Sequence, residues 1–162
     1  MDKYLVRTKA AIEDCESHLL SSGAFGTEIE SYLTQHILVI LCADMQQDIY
    51  RIAADRAKAT EDNDLINYVS VTAKRVLRSV KKDEIATYVG MFGAEAKKKL
   101  NGLVQDNDVT TYNAAVRNRH DVAHSQGVQI TFRELKQTTT VAERLLQAVA
   151  VSLSRDVAPD SG

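Results

Sequence analysis

Apolar residues recur along this chain mostly three and four positions apart, the spacing that gathers them on one face of an α-helix. Leu5, Ala11, Ile12, Cys15 and Leu19 form such a stripe, which predicts a first helix from Asp2 to Leu20 that stops at Ser21-Ser22-Gly23. Thr27-Glu28-Ile29-Glu30 matches a capping box, a threonine followed three residues on by a glutamate, so a second helix should begin there and run toward Ala59. Its middle, Ile37 to Ala43, is apolar on every side, the pattern of a helix surrounded by neighbours.

Glu61-Asp62-Asn63-Asp64 is a polar break with an N-cap, and Leu65 to about Val80 then carries Ile66, Val69, Ala73, Val76 and Leu77 at helical spacing. Asp83 predicts the start of another helix from Glu84 to Gly90; Met91-Phe92-Gly93 interrupts it, and Ala94 to Leu100 follows, closed by Asn101-Gly102. Asp106 or Asp108 opens the next, with Tyr112, Ala115, Val116 and Val122 turned inward and Ser125-Gln126-Gly127 ending it. Gln129-Ile130 suits a brief extended piece, and the capping box Thr131-Phe132-Arg133-Glu134 launches a last helix through Ser154 with Leu135, Val141, Leu145, Leu146 and Val149 apolar. The expected fold is all-α, one up-down bundle of five to seven helices over residues 1–155, followed by a flexible tail over 156–162.

Composition supports that picture and narrows the chemistry. With 162 residues the chain suits one domain; seven glycines, one proline and no tryptophan leave helix formers in the majority. A net charge of −2 restricts any nucleic-acid binding to local basic patches. Cys15 and Cys42 lack a Cys-x-x-Cys spacing, so free thiols in a reducing compartment are expected. Neither a signal-type segment nor a membrane-length apolar run is present in the sequence, so a cytoplasmic protein without membrane association is expected.

The candidate chemistry lies in Arg117-Asn118-Arg119-His120-Asp121-Val122-Ala123-His124, which sets two guanidiniums and two imidazoles at the end of one predicted helix. Arginine offers a permanent charge on a planar fork of donors, and histidine gives or takes a proton near neutral pH. RNA carries its own nucleophile, the 2′-hydroxyl. Cleavage therefore needs a base at that oxygen, positive charge on the developing phosphorane and an acid at the 5′-leaving group, with no metal or other cofactor. One histidine cannot be neutral base and protonated acid at once, whereas a two-fold homodimer that brings two copies of His124 together supplies both.

Arg119 to His124 also matches the Arg, polar residue, three residues, His motif of HEPN domains, all-α proteins that are often metal-independent ribonucleases. With Gly127 nearby, Ala123-His124 resembles the ribonuclease-LS/PSP-type and abortive-infection subgroups, and the likeness in organisation spans residues 27 to 153. The resemblance implies an endoribonuclease leaving a 2′,3′-cyclic phosphate, a homodimer with a composite site, and a toxin or phage-defence effector held by an antitoxin or defence-system partner. It implies Arg119 and His124 as the catalytic pair. Arg117, which shares a helix face with His124 while Arg119 stands about 140° away, is kept as a phosphate-contacting helper.

Further polar and charged residues accompany the motif. Asn118 and His120 supply the polar position after each arginine, and Asp48 or Asp44 on the second helix could orient an arginine or His124. An ordinary Asp48–Arg51 pair along that helix is the favoured alternative. Lys74, Arg75, Arg78, Lys81 and Lys82 form one basic segment and Lys97 to Lys99 another; these become RNA-tracking surface only if they border the cleft of the motif. No metal site is expected: His120-Asp121-x-x-His124 only imitates a zincin pattern. The alternative function is a catalytically silent module of the same kind that binds RNA or a protein.

Overall fold

A computed structural model describes residues 3–123 and 130–155, without the side chains of 120–123. Seven helices follow one another among the described residues: α1 (Val6–Ser22), α2 (Glu28–Lys58), α3 (Asn63–Val76), α4 (Lys82–Gly90), α5 (Ala94–Leu103), α6 (Asp106–Ala123) and α7 (Phe132–Leu153). The all-α reading and the helix count are therefore as expected. The C-terminal tail, the Ser125-Gln126-Gly127 stop and Gln129 lie outside the described residues.

α2, with 31 residues, is the axis of the bundle and packs against α1, α3, α6 and α7. Ile37, Leu38, Leu41, Met45 and Ile49 on it are fully buried, which is the stabilising consequence of its apolar middle. That middle is not enclosed on every side, because Val39 remains 47% exposed. α1 runs antiparallel to α7, as the pairs Lys9–Glu143 at 2.8 Å and Glu16–Lys136 at 2.7 Å require. α2 and α7 start together, where Glu30 Oε1 accepts from the Phe132 N–H at 3.3 Å.

That contact also accounts for the first departure from expectation. The Thr131–Glu134 capping box forms in full. The one predicted at Thr27 does not: Thr27 donates to the Ala24 carbonyl, and Glu30 is taken by the Gly26 and Phe132 N–H groups. α3 stops at Val76 rather than near Val80, and the carbonyls beyond it accept from tertiary donors. Gln46 at 2.9 Å and Tyr50 at 3.2 Å donate to Leu77 O, and Tyr112 donates to Val80 O at 2.6 Å. Other element ends also differ from expectation: α1 begins at Val6 rather than Asp2 and runs through Ser22, α4 begins at Lys82 with Asp83 inside its first turn, and α5 continues through Asn101-Gly102 to Leu103.

Candidate functional site

α6 opens with Asp106 and Asp108 in its first turn, where carboxylates complement the positive end of the helix dipole. Tyr112, Ala115 and Val116 are its buried stripe. Arg119 follows at three, four and seven residues beyond these, so it continues the inward stripe with a charged group. The side chain nevertheless stays exposed, and its charge acts on the thiol of Cys42 on α2. Burial pushes that thiol up to about 11, and Arg119 pulls the other way. Among the described residues neither Arg119 nor Arg117 has a carboxylate within ion-pair distance.

Arg117 is exposed on another face of α6, about 200° from Arg119 around the helix. The two guanidiniums therefore do not form a single clamp from one straight helix. Asn118, half-buried, donates from Nδ2 to the Ala114 carbonyl of its own helix at 3.0 Å, which leaves its side-chain oxygen as the free end. The side chains of His120 and Asp121, and His124 altogether, lie outside the described residues.

Asp44 and Asp48 are both committed elsewhere. Asp44, only 5% exposed, accepts from the Thr8 N–H and hydroxyl at 2.8 Å each and from Arg7 Nε at 2.6 Å. Asp48 accepts from the Leu5 N–H at 2.8 Å and pairs with Arg51 at 2.8 Å. Burial raises the Asp48 carboxyl, opposed by the Leu5 N–H and by Arg51. The arginines these carboxylates hold are thus Arg7 and Arg51, not Arg117 or Arg119. Asp44 stands about 200° around α2 from Cys42, on the side of α1 rather than of α6. Their work is to cap α1 from a distance. Leu5, at the N-cap of α1, offers no side-chain acceptor and adopts φ 57°, so the orphan N–H groups of the first turn need outside partners. A helix that starts without Ser, Thr, Asp or Asn, together with an acid beside an apolar helix centre, was the signal for this in the sequence.

The first basic segment spans the end of α3 and the start of α4. Lys74, Arg75, Arg78 and Lys81 are exposed, while Lys82 donates from its backbone N–H to Asn113 on α6 at 3.1 Å and from Nζ to Asn101 at 2.6 Å. Asn113 lies one turn before Arg117, so the segment borders the Arg117 face of α6. Lys98 and Lys99 sit instead at the far end of α7, lining a cleft with Ser152 and Ser154.

Among the described residues no three His, Cys, Asp or Glu side chains converge as metal ligands, and no helix is long and apolar enough to cross a membrane. No family model, curated protein or solved structure matches the chain.

Proposed function

We propose that the chain is a metal-independent endoribonuclease in which Arg119 and His124 act on a phosphodiester, with Arg117 as a phosphate contact. The supporting observation is Arg119 itself. A cation continuing the inner stripe of α6, exposed and without an acidic partner among the described residues, is poorly explained by packing and well suited to an incoming phosphate.

In the proposed reaction the 2′-oxygen attacks phosphorus and its proton passes to a neutral His124. The 5′-oxygen leaves with a proton from a protonated His124 of a second copy, while arginine stabilises the charge on the phosphorane. The products are a 2′,3′-cyclic phosphate and a 5′-hydroxyl. A two-fold dimer is required by this proton count. A toxin or phage-defence role, held in check by a partner protein, follows from the motif resemblance.

The second reading, a catalytically silent module that binds RNA or protein, is favoured by one observation: Asp44 and Asp48 turn to α1 and lend no carboxylate to the motif.

The deciding assay incubates wild type, Arg119→Ala and His124→Ala with cellular RNA in excess chelator. Cleavage by wild type alone, leaving cyclic phosphate ends, is the expected result. No cleavage by any of the three, or equal cleavage by all, rejects the nuclease.

A further inference from the structure

The described end of α7 is ringed by positive charge from four separated parts of the chain. On one side a cleft of about 270 Å³ is lined by Lys3, Arg51, Arg56 and Arg155. On the other a wider cleft of about 500 Å³ is lined by Lys98 and Lys99, and Ser154 borders both. Among the described residues Asp55 and Glu95 are the carboxylates lining them, and Asp55 is already paired with Lys58 at 3.0 Å.

Helix dipoles account for part of this charge. Arg56 in the last turn of α2 and Arg155 just past α7 sit where the negative end of a helix dipole favours a cation. Lys3 and Arg51 have no such reason to be there. Both approach the ring of the buried Tyr4, at 5.3 and 5.7 Å from its centroid. Arg51 is also fixed through Nη2, which donates to Lys3 O at 2.6 Å and to Asp48 Oδ1 at 2.8 Å. Its Nε and Nη1 hydrogens remain for a ligand, held in place before one arrives.

We propose that the two clefts meeting at Ser154 form a track for the sugar–phosphate backbone of single-stranded RNA. Three features select this occupant. The cations are divided between two clefts that share Ser154, so a polyanion with repeating phosphates can reach both where a single phosphate would reach one. Arginine predominates in the smaller cleft, and its fork matches phosphate oxygens. The smaller cleft is also lined by Ile52, Ala59, Ala150 and Leu153, apolar surface that suits a nucleobase or ribose beside the cations. Because Tyr4 is covered, no aromatic face is open for stacking, so the track reads no sequence. Arg56 lies 14 residues beyond Cys42 on α2, about 20 Å along the helix axis, so the track engages RNA well away from the Arg119 end.

The inference rests on RNA being the ligand of the nuclease reading, and one experiment keeps the two apart. Fluorescence anisotropy with a labelled single-stranded RNA compares wild type, Arg56→Glu/Arg155→Glu and the charge-matched control Arg133→Glu/Lys136→Glu at the opposite end of α7. The track variant should bind about tenfold more weakly, and its log–log salt slope should fall by about 1.4, the share of two lost phosphate contacts. The control should keep the wild-type slope, and circular dichroism should show all three folded. Equal weakening in both variants, unchanged binding in the track variant, or equally tight binding of wild type to polyglutamate overturns the track. Wild type that binds RNA through Arg56 and Arg155 yet leaves it uncut rejects the nuclease and retains the track.

Discussion

Arg119 of α6 acts on the thiol of Cys42 on α2, drawing its pKa down against the burial that pushes it up to about 11. The pairing gives Arg119→Ala a readout separate from activity. In a Cys15→Ser background the Cys42 thiolate should appear at still higher pH in the variant, followed by its ultraviolet absorbance. Under the nuclease reading the same change should lower kcat by about 10²–10³-fold. A thiol titration identical to wild type would disprove the spatial relationship, whatever the RNA assay gives.

Cys42 also sets an alkaline limit on stability. Its folded pKa lies above the ordinary 9.0, so the contribution of the protonated thiol is fully present below 9.0 and lost as pH rises toward 11. At about 1.4 kcal/mol per unit this amounts to about 2–3 kcal/mol. Urea unfolding across that window should show a steeper decline for wild type than for Cys42→Ala, and parallel curves would contradict the assignment.

Tyr112 is fully buried, donates to Val80 O at 2.6 Å and is raised well above the ordinary phenol value, first by burial and then by Cys42. Tyr112→Phe leaves that carbonyl without its partner and should cost about 1–2 kcal/mol. Phenolate absorbance of wild type should lag for this residue until the chain unfolds.

Asp44→Ala removes the acceptor of both the Thr8 N–H and the Thr8 hydroxyl, which are buried. A loss of about 2–4 kcal/mol is expected, with amide exchange accelerating first in the initial turn of α1. Arg7→Ala, which removes the exposed arginine and leaves both Thr8 bonds to the buried Asp44, should cost less, about 1 kcal/mol. Equal costs for the two would show that Asp44 serves Arg7 and not the helix start.

Glu61 is exposed and holds φ 57°, a region that costs a side-chain-bearing residue about 1–2 kcal/mol. Glu61→Gly removes that strain, offset in part by the greater freedom of glycine when unfolded, and should raise stability by up to about 1 kcal/mol. A lower melting temperature would mean that the carboxylate makes a contribution of its own.

Much of the fold was legible because helix formation is largely local. Leu135, Val141, Leu145, Leu146 and Val149 mark α7 by spacing alone, and Thr131 with Glu134 fixes its start within three residues of sequence. Thr27 presents the same local pattern and fails, because Glu30 finds Gly26 and, across the bundle, Phe132. Leu77 to Val80 continue the α3 stripe in sequence, yet outside the helix Gln46 and Tyr50 bond the Leu77 carbonyl and Tyr112 the Val80 carbonyl. Local and distant hydrogen-bond partners both enter: Ala24 and Gly26 lie within four residues of the failed capping box, whereas Phe132, Gln46, Tyr50 and Tyr112 come from elsewhere in the bundle.

The candidate site divides along the same line. By itself the sequence determined that the chain is helical and that two arginines and two histidines fall within residues 117–124, since periodicity and residue chemistry need no neighbours to be read. Tertiary structure alone decided that Asp44 and Asp48 cap α1, that the charge of Arg119 acts on Cys42, and that Lys3, Arg51, Arg56 and Arg155 share one cleft. Those relations depend on which faces of α2 are covered by α1, α6 and α7, a choice made by packing the whole bundle.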